Sequence, residues 1–145
     1  MSRRADYGTV LLTQMARESR RVISAAELAA ETRLAVPTVS KVLKRLARNE
    51  LVVAHRGEHG GYLLSRRPVE ISMADIIDAV DGGLTECANH PGNCSRERIC
   101  EIREHWRRVD RAVRKTLQAL TLAEMTQPVP PSTAKILVRA RNALS

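Results

Sequence analysis

Apolar residues recur at helical spacing in two segments near the start of the chain. The first segment runs from Tyr7 to Glu18 and follows Asp6, whose carboxylate suits an N-cap position. Its apolar positions are Val10, Leu11, Met15 and Ala16. The second segment runs from Ala25 to Thr32, where Ser24 and Glu27 form the S-x-x-E pattern of a capping box. The pattern therefore predicts two short helices separated by a polar stretch.

A third amphipathic segment follows a short turn and begins near Pro37. Proline suits the first position of a helix, because its missing N–H would have no partner inside the helix. The apolar positions, expected to face the core, are Val39, Val42, Leu43 and Leu46. The outward positions are Thr38, Ser40, Lys41, Lys44, Arg45 and Arg48. We therefore predict a helix-turn-helix in which Thr38 and Ser40 lie nearest the bases and the longer cations contact phosphates.

Two short apolar runs, Leu51–Ala54 and Tyr62–Leu64, bracket a glycine-rich turn and predict a β-hairpin. A hairpin directly after a helix-turn-helix is the winged-helix arrangement. Arg56 in the turn is placed to contact phosphate or to enter the minor groove, and the glycines allow a close approach of the backbone. We interpret His55 and His59 as exposed residues of the turn.

A fourth helix is predicted after the hairpin. Ser72 and Asp75 form a second capping box, and the helix that they begin ends at the pair Gly82-Gly83. Its apolar face consists of Ile76, Ile77 and Val80.

A longer apolar stripe begins at Ile102. It continues at steps of four and three residues through Trp106, Val109, Val113, Leu117 and Leu120. This spacing is close to a heptad seam and predicts a long helix that pairs with its copy in a second subunit; packing against its own domain is the alternative. Three prolines, at 128, 130 and 131, end the regular pattern, and the tail is expected to be disordered or to form a short helix.

The predicted fold class is mainly α, a winged helix-turn-helix with a long C-terminal dimerisation helix. Its parts are a DNA-binding region (1–67), a connecting helix (68–83), a cysteine loop (84–100), a dimerisation helix (101–125) and a Pro-containing tail (126–145).

Composition and charge favour duplex DNA as the partner of the first half. The 145 residues suit about one domain, and 2% aromatic residues are too few for the stacking platforms that bind single-stranded nucleic acid. Of the formal net charge of +8, residues 1–67 carry +7 (13 basic minus 6 acidic) and residues 68–145 carry +1 (11 basic minus 10 acidic). Cations clustered in this way bind a polyanion, because neutralising phosphates releases counterions.

Other function classes find no support in the sequence. No run approaches the ~20 apolar residues of a membrane span, and the first residues lack the apolar core of a secretory signal. No nucleophile–base pair or catalytic carboxylate motif is recognisable. We therefore expect a cytoplasmic protein that has no membrane partner and is not an enzyme.

Three cysteines, Cys87, Cys94 and Cys100, lie in a segment rich in Pro, Gly and Asn. An odd number in a reducing compartment argues against a disulfide framework and for metal or redox chemistry. Structural zinc sites usually pair cysteines two to four residues apart, whereas both gaps here are wider, which favours an iron–sulfur cluster. Zinc, reactive thiols and structurally unimportant cysteines remain the alternatives.

Several motifs together resemble the IscR/NsrR family of bacterial iron–sulfur transcription regulators. They are Asp6-Tyr7, the run Pro37–Leu43, the wing Arg56-Gly57 with Gly60-Gly61-Tyr62, the run Ile71–Ile77 and the cysteine segment before a long helix. Leu84–Cys87 (Leu-Thr-Glu-Cys) and Trp106 match the branch that regulates the SUF system of cluster assembly. The resemblance implies a homodimer that binds double-stranded operator DNA and holds a cluster through the three cysteines, with 2Fe–2S favoured over 4Fe–4S. It further implies that the state of the cluster changes operator affinity.

The resemblance leaves the fourth ligand open. The IscR-like pattern has a histidine three residues after the last cysteine, where this chain has Arg103. The candidates among the residues are Asp6, which matches the acidic ligand of NsrR-like members, His105 and His90. A water, a small thiol or no fourth ligand are the alternatives. Each of the three residues has an ordinary alternative role: Asp6 as an N-cap, His105 as a helix-surface residue and His90 as a loop residue.

Overall fold

The computed structural model describes residues 2–18, 21–83 and 101–128. Within these ranges the elements in chain order are α1 (Arg3–Arg17), α2 (Ala25–Thr32), α3 (Val36–Arg48), β1 (Val52–His55), β2 (Gly61–Leu64), a 3₁₀ turn (Pro68–Glu70), α4 (Met73–Asp81), α5 (Arg103–Ala119) and α6 (Leu122–Met125). This order confirms a mainly helical fold in which a two-stranded hairpin follows a helix-turn-helix.

Helix α1 begins earlier than the apolar pattern predicts. Its N-cap is Ser2, whose Oγ accepts hydrogen bonds from the backbone N–H groups of Arg4 and Ala5 at 3.1 and 3.3 Å. The assignment of Asp6 as N-cap is therefore wrong: Asp6 lies exposed in the first turn of the helix. The predicted apolar face is also shifted, because Val10 is 46% exposed whereas Leu12 is fully buried.

Helices α2 and α3 form the predicted helix-turn-helix. Ser24 and Glu27 make the capping box. The hydrogen bond that the Ser24 N–H donates to the Glu27 carboxylate lowers the pKa of Glu27. Arg33 ends α2 in the left-handed region at φ 57°, and Pro37 is the second residue of α3 rather than the first. The four apolar residues predicted for the inner face of α3 are all buried.

The hairpin pairs β1 and β2 in an antiparallel register from Val52 opposite Leu64 to His55 opposite Gly61. His55 is thus the last residue of a strand rather than part of the turn. The hairpin joins the segment before α2 through two hydrogen bonds, Ile23 N–H to Tyr62 O at 2.9 Å and Tyr62 N–H to Ile23 O at 2.8 Å. A Cβ on Gly61 would lie less than 3.0 Å from the Ile23 carbonyl, so this glycine permits a close approach inside the protein.

Helix α4 lies at the centre of the fold and packs against α1, α3 and α5. It begins at the predicted Ser72–Asp75 capping box and ends at Gly82, which adopts φ 79°. Its predicted apolar face is buried, at 0% exposure for Ile76 and Val80 and 1% for Ile77. These local signals place α4 as the sequence predicted.

The long C-terminal helix is shorter than predicted. Helix α5 ends at Ala119, and Thr121 begins the short helix α6 with its own capping box, in which its N–H donates to Glu124 at 2.8 Å. The extended stretch between the helices bonds to the start of α4: Met73 N–H donates to Leu120 O at 2.9 Å and Leu122 N–H donates to Ile71 O at 2.8 Å. Leu122 is fully buried, so α6 belongs to the same core as the buried residues of α1 to α4.

Most of the apolar stripe on α5 faces outward. Ile102 is 57% exposed, Trp106 44%, Val109 48% and Val113 41%, whereas Leu117 packs against the core. An adjacent side of α5 is bound to α4, because Arg114 donates to both carboxylate oxygens of Asp78 at 2.5 and 3.2 Å. These bonds raise the pKa of Arg114. Packing of the stripe against its own domain is therefore limited to its C-terminal end.

None of the described helices is long and apolar enough to cross a membrane.

Candidate nucleic-acid interface

The exposed face of α3 and the start of α1 form an open groove of about 470 Å³. It is lined by Arg4, Tyr7, Thr38, Lys41, Val42, Lys44, Arg45 and Arg48. Six of the lining residues come from α3. They lie together because positions three, four and seven apart share one face of a helix. Arg4 and Tyr7 come from the first turns of α1, which crosses next to α3.

The groove is strongly cationic. Five of its eight lining residues carry a positive charge, and no acidic residue of the described chain lines it. The side chains of Lys41, Lys44 and Arg48 are exposed, whereas Thr38 and Ser40 at the start of α3 are half-buried. An exposed array of cations along one helix suits the spaced phosphates of a nucleic-acid backbone.

Arg45 differs from the other cations of this face. Its Nη1 donates a hydrogen bond to the backbone carbonyl of Val80 at 2.7 Å. One turn later on α3, Asn49 Nδ2 donates to the carbonyl of Ala79 at 3.0 Å. Part of the Arg45 guanidinium therefore binds the end of α4 rather than facing solvent alone.

The predicted wing residue Arg56 lies at the start of the hairpin turn and is exposed. It is followed by Gly57 at φ 124°, a backbone conformation that favours glycine. Arg56 does not line the groove of α3. Arg56 is therefore an exposed cation on the wing, outside the groove that α3 lines.

Arg4 and Tyr7 line the groove although the sequence pattern did not predict them there. The apolar pattern predicted a first helix from Tyr7 and left Arg4 outside any element. The adjacent pair Arg3-Arg4 beside a serine that suits an N-cap was the available signal.

The proposed ligands of the metal centre lie largely beyond the described ranges. Cys87, Cys94, Cys100 and His90 lie outside the described residues. Asp6 and His105 are both exposed, in the first turns of α1 and α5. Among residues 2–18, 21–83 and 101–128, no group of three or more His, Cys, Asp or Glu side chains is placed to hold a metal ion. The described residues alone therefore assemble no metal site.

Comparison with known proteins shows a match to one protein family, to regulators of known sequence and to solved structures. Residues 1–128 match the Rrf2 family, described as iron-dependent transcriptional regulators. The chain is 30% identical over 131 residues to a Mycobacterium tuberculosis protein named as an HTH-type transcriptional regulator (86% of this chain, 80% of that protein). It is 31% identical over 102 residues to the HTH-type transcriptional regulator IscR of Sodalis glossinidius (69% and 61%). The structure of CymR, the global cysteine regulator of B. subtilis, superposes with a TM-score of 0.67 at 25% identity, over 87% of this chain and 95% of that one.

Proposed function

The chain belongs to the Rrf2 family of transcriptional regulators, and from this premise we propose a homodimer that binds operator DNA under the control of an iron–sulfur cluster. The single observation that carries the DNA-binding role is the cationic groove along α3. The relatives and structural neighbours are regulators rather than enzymes, and the described fold is a winged helix of the same type.

In the proposed complex, α3 enters the major groove of each half-site. Thr38 and Ser40, at the N-terminal end of α3, lie nearest the base edges. Lys41, Lys44 and Arg48 contact phosphates, and Arg56 on the wing contacts phosphate or the minor groove. The sequence analysis also predicted Arg45 as a DNA contact; in the structure Arg45 lines the groove and its Nη1 donates a hydrogen bond to the carbonyl of Val80.

The exposed stripe on α5 supports the homodimer. Four large apolar side chains stand in one row, each about half exposed in the single chain: Ile102, Trp106, Val109 and Val113. An apolar row of this length at heptad-like spacing is typical of a helix that pairs with a second helix. Pairing across this stripe would bring two copies of α3 to one duplex.

The donor chemistry fits an iron–sulfur cluster. Three soft thiols fall within 14 residues, between the end of α4 and the start of α5. Thiolates are the usual ligands of such clusters. The resemblance to IscR-like regulators favours 2Fe–2S over 4Fe–4S. Asp6 and His105 remain the candidates for a fourth ligand among the described residues. When bound, a cluster supplies a redox-sensitive cross-link among the cysteines, and α4 and α5 flank that segment on either side.

Spectroscopy of oxygen-free material tests the cluster. Anaerobically purified protein should show visible absorption together with iron and acid-labile sulfide. Cys94→Ala should lose both while the protein remains folded by circular dichroism. Colourless wild-type protein with neither iron nor sulfide would contradict the cluster.

The SUF genes of cluster assembly are the proposed target of regulation. The proposal is supported by the sequence Leu84–Cys87 and by Trp106, which match the SUF-regulating branch. Selective binding to the SUF promoter over an unrelated promoter of equal length is the expected result.

A second candidate is a redox-switched thiol regulator without a cluster. It is favoured by the structural similarity to Staphylococcus aureus CymR, which has been solved in an oxidized form, at 27% identity and a TM-score of 0.65. In that case the iron-free protein would change its DNA affinity on mild oxidation and recover it with a thiol reductant. A zinc-bound variant of this candidate would show zinc in metal analysis and no visible absorption.

Replacing Lys44 with alanine is expected to weaken binding to all DNA sequences alike. Removing one phosphate contact should reduce the slope of log K against log salt by ~1, hence by ~2 for a homodimer. Fluorescence anisotropy at several salt concentrations measures the slope. Arg17→Ala removes an exposed cation outside the groove and should leave the slope unchanged. Equal slopes for wild type and Lys44→Ala would contradict the phosphate contact.

A further inference from the structure

We infer that Arg45 and Asn49 are positioning residues, which fix the recognition helix α3 to the C-terminal turn of α4 and set DNA affinity without contacting phosphate. The inference rests on the proposed DNA-binding role of α3. The two residues lie one helical turn apart, so both side chains project from the same face of α3.

The acceptors of these two side chains are backbone carbonyls at the end of α4. The last four carbonyls of a helix have no partner within the helix. Gly82 N–H satisfies the carbonyl of Asp78 at 3.0 Å, and α3 satisfies the next two: Asn49 Nδ2 binds Ala79 O at 3.0 Å and Arg45 Nη1 binds Val80 O at 2.7 Å. Ala79 is 7% exposed and Val80 is 0% exposed, which limits the access of water to this turn.

Charge and geometry make the attachment specific. The carbonyl end of a helix is the negative end of its dipole, so the Arg45 guanidinium is favoured there over a neutral donor. Asn49 is the C-cap residue of α3, and its Nδ2 also donates to Arg45 O at 3.0 Å. The same amide group thus bonds α3 and α4 at once, which fixes the rotation of α3 about its own axis.

The turn to which α3 is attached is itself held from two other sides. Ser2 Oγ, at the start of α1, donates to Asp81 at 2.5 Å, and Arg114 on α5 donates to Asp78 at 2.5 and 3.2 Å. Helix α4 therefore provides a fixed reference for the recognition helix. Loosening α3 from that reference would spread its orientations and lower affinity for DNA.

The salt dependence of DNA binding separates positioning from phosphate contact. We compare Arg45→Ala and Asn49→Ala with Lys44→Ala, the matched removal of a neighbouring cation. Both positioning variants should bind DNA about 2- to 30-fold more weakly than wild type, at every salt concentration, with an unchanged salt slope. The double variant should lose less than the product of the two single losses, because both side chains act on one turn.

Two results would overturn the inference, and a third would overturn the DNA-binding surface on which it rests. A slope reduced in Arg45→Ala as much as in Lys44→Ala would make Arg45 a phosphate contact and overturn it. Unchanged DNA affinity in both variants, whether or not their unfolding midpoints fall, would reduce the bonds to a stabilising role and overturn it as well. If Lys44→Ala also leaves affinity and slope unchanged, the DNA-binding surface proposed for α3 fails, which is a separate outcome.

Discussion

Replacing Val109 and Val113 together with glutamate is expected to convert the proposed homodimer into a monomer and to weaken operator binding by about 10²–10⁴-fold. The two valines are 48% and 41% exposed in the single chain, so the charges are tolerated in the monomer. In the proposed dimer they would place four carboxylates in an apolar interface, where unpaired charge is costly. Affinity falls because the two recognition helices no longer act as one linked pair.

Light scattering of the purified protein measures the mass of the assembly directly. Trp106 is the sole tryptophan of the chain and lies 44% exposed on the same stripe, so its emission should shift to longer wavelength in the variant. The matched control is Val10→Glu with Val69→Glu, two valines that are 46% and 56% exposed away from the stripe. A dimeric Val109/Val113 variant, or dissociation of the control to the same extent, would contradict the interface on α5.

Replacing Leu122 with alanine is expected to lower the free energy of unfolding by about 2–5 kcal/mol. Leu122 is fully buried in the core formed by the DNA-binding helices, although it follows the long helix in sequence. Its removal leaves a cavity where α6 joins the start of α4. Urea unfolding followed by circular dichroism at 222 nm measures the destabilisation.

A matched control separates core packing from the general cost of removing a side chain. Val69 is 56% exposed on the 3₁₀ turn, and Val69→Ala should change the free energy of unfolding by about 0.5 kcal/mol or less. If Leu122→Ala is no more destabilising than Val69→Ala, α6 does not anchor the C-terminal part to the core.

Local signals in the sequence predicted the helices well where a cap lies next to an apolar run. The boxes Ser24–Glu27 and Ser72–Asp75 are both confirmed, because a capping box involves residues only three positions apart. A third box, Thr121–Glu124, lies inside the predicted dimerisation helix (101–125), so the prediction of one continuous helix is too long. The N-cap of α1 is Ser2, four residues before the predicted Asp6.

The features that the sequence did not reveal depend on long-range contacts. The hydrogen bonds from Arg45 and Asn49 to α4 span 35 and 30 residues, and no periodicity reports them. Arg45 therefore looked like another outward cation. Likewise Arg4 meets the groove of α3 only through the packing of α1 beside α3. Composition and spacing predict which face of a helix is basic, but only the tertiary structure shows which of its cations bind the protein itself.

The chain belongs to the Rrf2 family, and the central proposal is a cluster held by Cys87, Cys94 and Cys100. The most direct test is the operator affinity of anaerobically purified wild-type protein beside the variant Cys87→Ser/Cys94→Ser/Cys100→Ser, at one salt concentration. The account predicts iron and sulfide in the wild type alone, and affinities that differ by about 5- to 150-fold. Equal affinities for an iron-containing wild type and the iron-free variant would contradict it.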